Sequence, residues 1–107
     1  MEGLEQVAFE IISTVGTARS CYIEAIQKAK DGKWDEIEEL FKIGNEAFNE
    51  GHDAHMKLLT KEAEGNSEGV NLLLLHAEDQ LMSAEGFKII AEEFIDVYKR
   101  LKKLEDK

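Results

Sequence analysis

Apolar residues that recur at alternating steps of three and four residues limit most strongly what this chain can fold into. The first run has no break and comprises Leu4, Ala8, Ile11, Val15, Ala18, Tyr22, Ala25 and Ala29. This spacing follows one face of an α-helix and forms the seam by which helices pack together. Because the chain also contains no proline and few residues that favour strands, the pattern predicts an all-α protein.

Two breaks divide the chain into three helices. Asp31-Gly32 and Gly65-Asn66-Ser67 supply residues that end one helix and cap the next. We expect helices at about residues 4–30, 34–64 and 68–103. The chain has 107 residues and both connections are short. Residues 1–107 are therefore expected to form a single domain, an antiparallel up-down-up three-helix bundle.

Two glycines lie inside the second predicted helix. Gly44 and Gly51 are on the same face of that helix because they are two turns apart. A glycine in a helix interior costs about 1 kcal/mol relative to alanine. We therefore expect another helix to approach the backbone closely at these positions.

The third predicted helix has more apolar surface than its own chain can cover. The run from Leu72 to Leu75 points to nearly all sides, which predicts that this helix is the most buried one. A second apolar face lies roughly 130–150° from the main seam and carries Leu75, Asp79, Met82, Gly86 and Ile89. Two helices of one chain cannot easily cover both faces, so we expect self-association through the third helix around a symmetry axis.

Two titratable residues follow the leucine run. His76 is a candidate nucleophile, general base or metal ligand, and the alternative is a core histidine with a satisfied partner. Asp79 lies on the second apolar face, where a lone carboxylate needs a proton, a partner or a cation. The alternative for Asp79 is a hydrogen bond to donors on the second helix.

Charge and motif content exclude several classes of function. The formal net charge of −10 argues against nucleic acid and anionic membranes as partners. Cys21 is the one cysteine, so the chain forms no internal disulfide, and the cytosol is the expected compartment. The N-terminal residues lack the pattern of a signal peptide. The HExxH, GxxxxGK[ST] and GxGxxG motifs are absent, so any phosphate on His76 is expected to come from another protein.

Other polar residues carry weaker signals. His52 and His55 are one helical turn apart and form a weak candidate metal pair, although surface or interface side chains are the commoner outcome. Arg19 and Ser20 could contact phosphate, whereas a solvated or intersubunit arginine is the commoner outcome.

Three motifs together suggest a family. The first helix carries Gly16-Thr17-Ala18-Arg19-Ser20 and then Glu24-Ala25, and the second carries His52 and then Glu62-Ala63-Glu64-Gly65. The third carries His76-Ala77-Glu78-Asp79-Gln80-Leu81-Met82, which is similar to the family pattern H-[AG]-Q-D-H-L-M. Over essentially its whole length the chain resembles the lactose/cellobiose-type enzyme IIA of the bacterial sugar phosphotransferase system.

The resemblance implies a mechanism and an assembly. It implies a homotrimer of three-helix subunits, a nine-helix assembly. It also implies that His76 accepts phosphate through Nε2 from phospho-HPr and passes it to a cysteine of enzyme IIB. The sugar expected is a β-linked disaccharide of the lactose, cellobiose or chitobiose class. Asp79 of each subunit is expected to meet its copies at the trimer axis and to bind a divalent cation, usually magnesium.

The chain departs from the family pattern at three positions. Gln80 replaces a second histidine, His55 stands where glutamine is usual, and Met56 stands where threonine is usual. One hypothesis is that His55 compensates for Gln80 across an interface. Two rival functions remain: a non-catalytic trimeric helical adaptor, and a metal-binding bundle that uses His52, His55 and Asp79.

Overall fold

The chain forms three long α-helices in the computed structural model, which describes residues 2–65 and 72–107. Helix α1 spans Glu2–Lys30, α2 spans Trp34–Ala63 and α3 spans Leu72–Glu105, and the two ranges contain no strand. The predicted all-α three-helix fold is confirmed. Helix α3 ends slightly beyond its predicted end, while its predicted start at residue 68 and the Ser67 cap lie outside the described residues.

Helix α1 is the central helix of the bundle. It packs against both α2 and α3, whereas α2 and α3 make few contacts with each other. The predicted α1 seam is buried throughout. The prediction that the third helix is the most buried one is wrong, because α1 covers one face of α3 and leaves Leu72 82% and Leu75 52% exposed.

Helix α3 runs parallel to α1. Ala8 and Ala77 belong to one buried cluster, and farther along both helices Ala25 and Ile95 belong to another. Since α2, which joins them in the chain, runs in the opposite direction, this is the predicted up-down-up order. Within the described ranges, no helix is long and apolar enough to cross a membrane.

The two glycines of α2 allow it to lie close to α1. A Cβ added at Gly44 would stand 3.0 Å from Tyr22 Cε1, and one at Gly51 would stand 2.6 Å from Thr14 Oγ1 and 2.7 Å from Val15 Cγ1. The predicted close approach is confirmed. Because the contacts move back along α1 as α2 advances, the two helices are antiparallel.

Substitution of Gly51 by alanine is expected to destabilise the bundle. The added methyl group overlaps Thr14 and Val15, and overpacking of this kind costs about 1–3 kcal/mol. Most of that range lies above the gain of about 1 kcal/mol in helix propensity. Chemical denaturation should show a lower free energy of unfolding for Gly51→Ala. The control is Gly3→Ala, since a Cβ at Gly3 meets nothing within 4 Å; equal stability of the two variants would contradict the close approach.

Tyr22 is the largest fully buried side chain. Its hydroxyl donates a hydrogen bond to Asn45 Oδ1 at 2.7 Å. Burial, followed by the nearby Cys21 and Glu92, raises the pKa of Tyr22 to about 12. The neutral phenol is therefore held inside the α1–α2 interface.

This burial predicts a loss of stability at alkaline pH. The unfolded tyrosine ionises near pH 10 and the folded one near its pKa of about 12, so the stabilisation is complete below pH ~10 and falls as the pH rises toward ~12. The free energy of unfolding should decrease by up to roughly 3 kcal/mol across this interval. In Tyr22→Phe the part of this decrease that comes from Tyr22 should be absent, so the variant should lose less stability than the wild-type chain over the same interval. An ultraviolet titration in which Tyr22 ionises near pH 10 would contradict the prediction.

Candidate functional site

His76 lies near the start of α3 and its side chain is exposed. The rotation of α3 is fixed by Ala77, Leu81 and Ala84, which are buried in a cluster with residues of α1 and α2. Since His76 is about 100° from Ala77 around the helix, its imidazole lies outside the core. It has no hydrogen bond or ion pair with any described residue. The alternative of a core histidine with a satisfied partner is therefore wrong.

Asp79 lies on a face of α3 that, among residues 2–65 and 72–107, neither α1 nor α2 covers. Asp79 is exposed, and among its neighbours on this face Leu75, Met82 and Ile89 are 52%, 72% and 56% exposed. The predicted uncovered second face is thus present in the subunit. The alternative, in which donors on α2 donate a hydrogen bond to the Asp79 carboxylate, is wrong for the subunit, because no described residue bonds to Asp79.

On the side of α3 that faces α2, His55 pairs with Glu78. The Nε2 of His55 donates a hydrogen bond to Glu78 Oε1 at 3.0 Å, and the two side chains are 18% and 39% exposed. Glu78 and Gln80 are about 160° apart around the helix. Within one subunit His55 therefore contacts Glu78 and does not compensate for Gln80. His55 could be identified from the sequence as a candidate residue, but its partner Glu78 could not.

Comparison with known proteins gives this arrangement a family. Residues 6–99 match the family described as "PTS system, Lactose/Cellobiose specific IIA subunit". The chain belongs to this family. It is 38% identical to the oligo-beta-mannoside-specific EIIA component of Bacillus subtilis, over 89% of this chain and 86% of the relative. It is 42% identical to the galactose-specific EIIA component of Lactococcus lactis subsp. cremoris, over 94% of this chain and 87% of the relative.

A solved structure supports the same assignment. The cellobiose-specific enzyme IIA of Bacillus anthracis has a TM-score of 0.89 and 43% sequence identity, covering 92% of this chain and 90% of that chain. The predicted family is confirmed by these similarities. The chain is therefore a IIA-type phosphotransfer component of a sugar phosphotransferase system.

In this IIA chain, Arg19 packs between α1 and α3. Its guanidinium carbon stands 4.9 Å from the centre of the Phe87 ring, and its buried Nε has no hydrogen-bond partner among the described residues. Phe87 lies about 16 Å farther along α3 than His76, at 1.5 Å per residue. Arg19 is thus placed too far along the bundle to contact phosphate on His76 of the same subunit.

The IIA subunit does not assemble the rival metal site. His52 is exposed and stacks on Phe48, with the ring centres 6.2 Å apart, while His55 is bonded to Glu78. Within residues 2–65 and 72–107, no three histidine, cysteine or carboxylate side chains come together to hold a metal. The metal-binding bundle built from His52, His55 and Asp79 is therefore not formed within one chain.

Proposed function

We propose that this IIA chain is a cytosolic phosphocarrier whose His76 accepts a phosphoryl group from phospho-HPr and passes it to a cysteine of enzyme IIB. The observation that carries the proposal is an exposed, unpartnered imidazole on a helix whose rotation is fixed by packing. The chain's own thiol is a poor alternative. Cys21 is buried, and burial, followed by Glu24, raises the pKa of its thiol.

The transfer needs one nitrogen lone pair on His76. Neutral Nε2 attacks the phosphorus atom of the phospho-donor, so a new N–P bond forms while the donor's own N–P bond breaks and the donor imidazole leaves. In the second step a thiolate of enzyme IIB attacks the same phosphorus atom, and His76 leaves as imidazole. An exposed ring suits both steps, because two different partner proteins must reach it in turn.

We propose a homotrimer that packs through α3. Isolated exposed apolar residues are ordinary, but a continuous stripe along one helix marks an interaction surface. The exposed large apolar residues of α3 are Leu72, Leu75, Met82, Ile89, Ile90, Phe94, Val97, Leu101 and Leu104. These residues follow a heptad spacing whose register shifts once, near Ile90. Coiled coils show such a shift where their supercoil is locally unwound. This spacing supports helix-to-helix packing along the length of α3.

Asp79 lies within this stripe, and its chemistry fits a cation. Trimerisation through α3 would bring the Asp79 carboxylates of the subunits toward the axis, where unpaired charges are costly. Carboxylate oxygens are the ligands that Mg²⁺ prefers. We therefore propose that Asp79 holds a divalent cation, whose role is to neutralise the carboxylates at the axis.

The proposed sugar is a β-linked disaccharide of the lactose, cellobiose or chitobiose class. Relatives of this chain are named for oligo-beta-mannoside, galactose, cellobiose and lactose. Chains as similar as these serve different sugars, which supports the view that the membrane component selects the sugar. The IIA chain would then carry the phosphoryl group without contacting the sugar.

The test is phosphoryl transfer with purified components. Incubation with phosphoenolpyruvate, enzyme I and HPr should add a single phosphoryl group to each chain, measured by intact mass, and enzyme IIB should remove it. A chain that takes no label would instead support the helical adaptor.

A further inference from the structure

Gln80 lies one helical turn after His76 on the same flank of α3. The two positions are separated by about 40° around the helix and about 6 Å along it. Side chains on a helix lean toward its N-terminus, so a residue covers the surface of the preceding turn. We therefore expect the Gln80 amide to reach over the turn that carries His76.

The Gln80 side chain is available for a ligand. It is half-buried and makes no hydrogen bond with any described residue. A glutamine amide offers two N–H donors and one acceptor. Gln80 lies on a different flank of α3 from Glu78, whose carboxylate already accepts a hydrogen bond from His55.

On α3 itself, a phosphoryl group on His76 would meet few other donors. Residues 72–83 of α3 contain no lysine or arginine, and Glu78 and Asp79 lie within this segment. Lys88, the first cation of α3, is about 18 Å farther along the helix. Ser83 is on the same flank, but it is about 10 Å along the axis from His76 and has a short side chain.

We propose that Gln80 is a positioning residue that donates an amide hydrogen bond to a phosphoryl oxygen on His76. This inference rests on the phosphocarrier function proposed above and names a residue that assists it. The amide changes neither its charge nor its protonation during transfer. It orients the phosphoryl group and stabilises its negative charge beside the Asp79 carboxylate, while the N–P bond forms and breaks at His76 alone.

The test compares Gln80→Leu and Gln80→Glu with the wild-type chain. Loss of one hydrogen bond to a charged group should slow phosphoryl transfer from phospho-HPr about tenfold to a hundredfold. Gln80→Glu should be slower still, because it adds a negative charge. The phosphorus NMR signal of the phosphohistidine should shift in both variants, which a purely structural role for Gln80 would not cause. Gln80→His retains a ring N–H donor and should recover most of the rate.

Two control variants make the comparison specific. Ser83→Ala removes the hydroxyl donor on this flank, and Gln27→Glu adds the same charge as Gln80→Glu at an exposed position of α1. Both variants should transfer at the wild-type rate. If the wild-type chain is labelled and Gln80→Leu matches it in rate and NMR signal, the role of Gln80 is overturned. If the wild-type chain takes no label, the phosphocarrier proposal fails and the role of Gln80 with it. Circular dichroism of each variant checks that α3 is retained.

Discussion

Replacement of His76 by alanine is expected to abolish phosphoryl labelling by phosphoenolpyruvate, enzyme I and HPr. No other side chain on this flank of α3 can accept the group: Gln80 is an amide, and Ser83 has no neighbouring base among the described residues. Intact mass should show one added phosphoryl group per wild-type chain and none on His76→Ala. Because His76 is exposed, its truncation should leave the helical content and the thermal unfolding midpoint unchanged.

His52→Ala is the matched control for this experiment. His52 is also an exposed histidine on a helix, but it stacks on Phe48 of its own helix, α2. The His52→Ala variant should be labelled to the same extent as the wild-type chain. Full labelling of His76→Ala would show that His76 is not the phosphoryl acceptor. Full labelling of His76→Ala together with loss of labelling in His52→Ala would indicate an acceptor on α2.

Replacement of Asp79 by leucine is expected to give a trimer that no longer depends on metal. The exposed face around Leu75 and Met82 is already apolar, so leucine replaces repelling carboxylates with packing. Exchange of buried charge for apolar side chains stabilises some assemblies by about 1–4 kcal/mol. Sedimentation should give a trimer mass for both chains, with only the wild-type trimer weakened by a chelator.

Asp53→Leu controls for the loss of one charge. Asp53 is an exposed aspartate of α2 that lies away from the stripe on α3, so chelator should affect this variant as it does the wild-type chain. A monomeric Asp79→Leu beside a trimeric wild-type chain would contradict the proposal that the cation only neutralises the carboxylates at the axis. It would show that Asp79 itself is needed to hold the subunits together. A monomeric wild-type chain would instead contradict the proposed trimer.

The local features of the fold could be predicted from the sequence. Helix periodicity depends on residues a few positions apart, so the α1 seam from Leu4 to Ala29 and the breaks between helices could be recognised directly. Gly44 and Gly51 predicted close packing because glycine is unfavourable in a helix interior unless another helix must approach its backbone. The motif at His76 was specific enough to indicate the family, and the similarities to known proteins confirm it.

The arrangement of the helices could not be predicted in the same way. Periodicity shows which faces are apolar but not which helix lies in the centre. The Leu72–Leu75 run therefore predicted that α3 is the most buried helix, whereas within the subunit α1 packs against both other helices. The hydrogen bond from His55 to Glu78 and the stacking of Arg19 on Phe87 depend on how far one helix is shifted along another. That shift is set by packing across the whole bundle, which no local pattern in the sequence contains.

The central position of α1 also determines how the subunit can open. Helices α2 and α3 pack against α1 and make few contacts with each other. Either of them can therefore detach while the other stays packed against α1. Exposure of α1 requires both α2 and α3 to detach. Local opening of a protein follows such differences in contact. A fluctuation that frees α3 carries His76 away from the bundle and leaves the α1–α2 hairpin intact. Assembly through α3 would suppress that fluctuation, so the subunits of the proposed trimer would keep one another's phosphoryl acceptors in place.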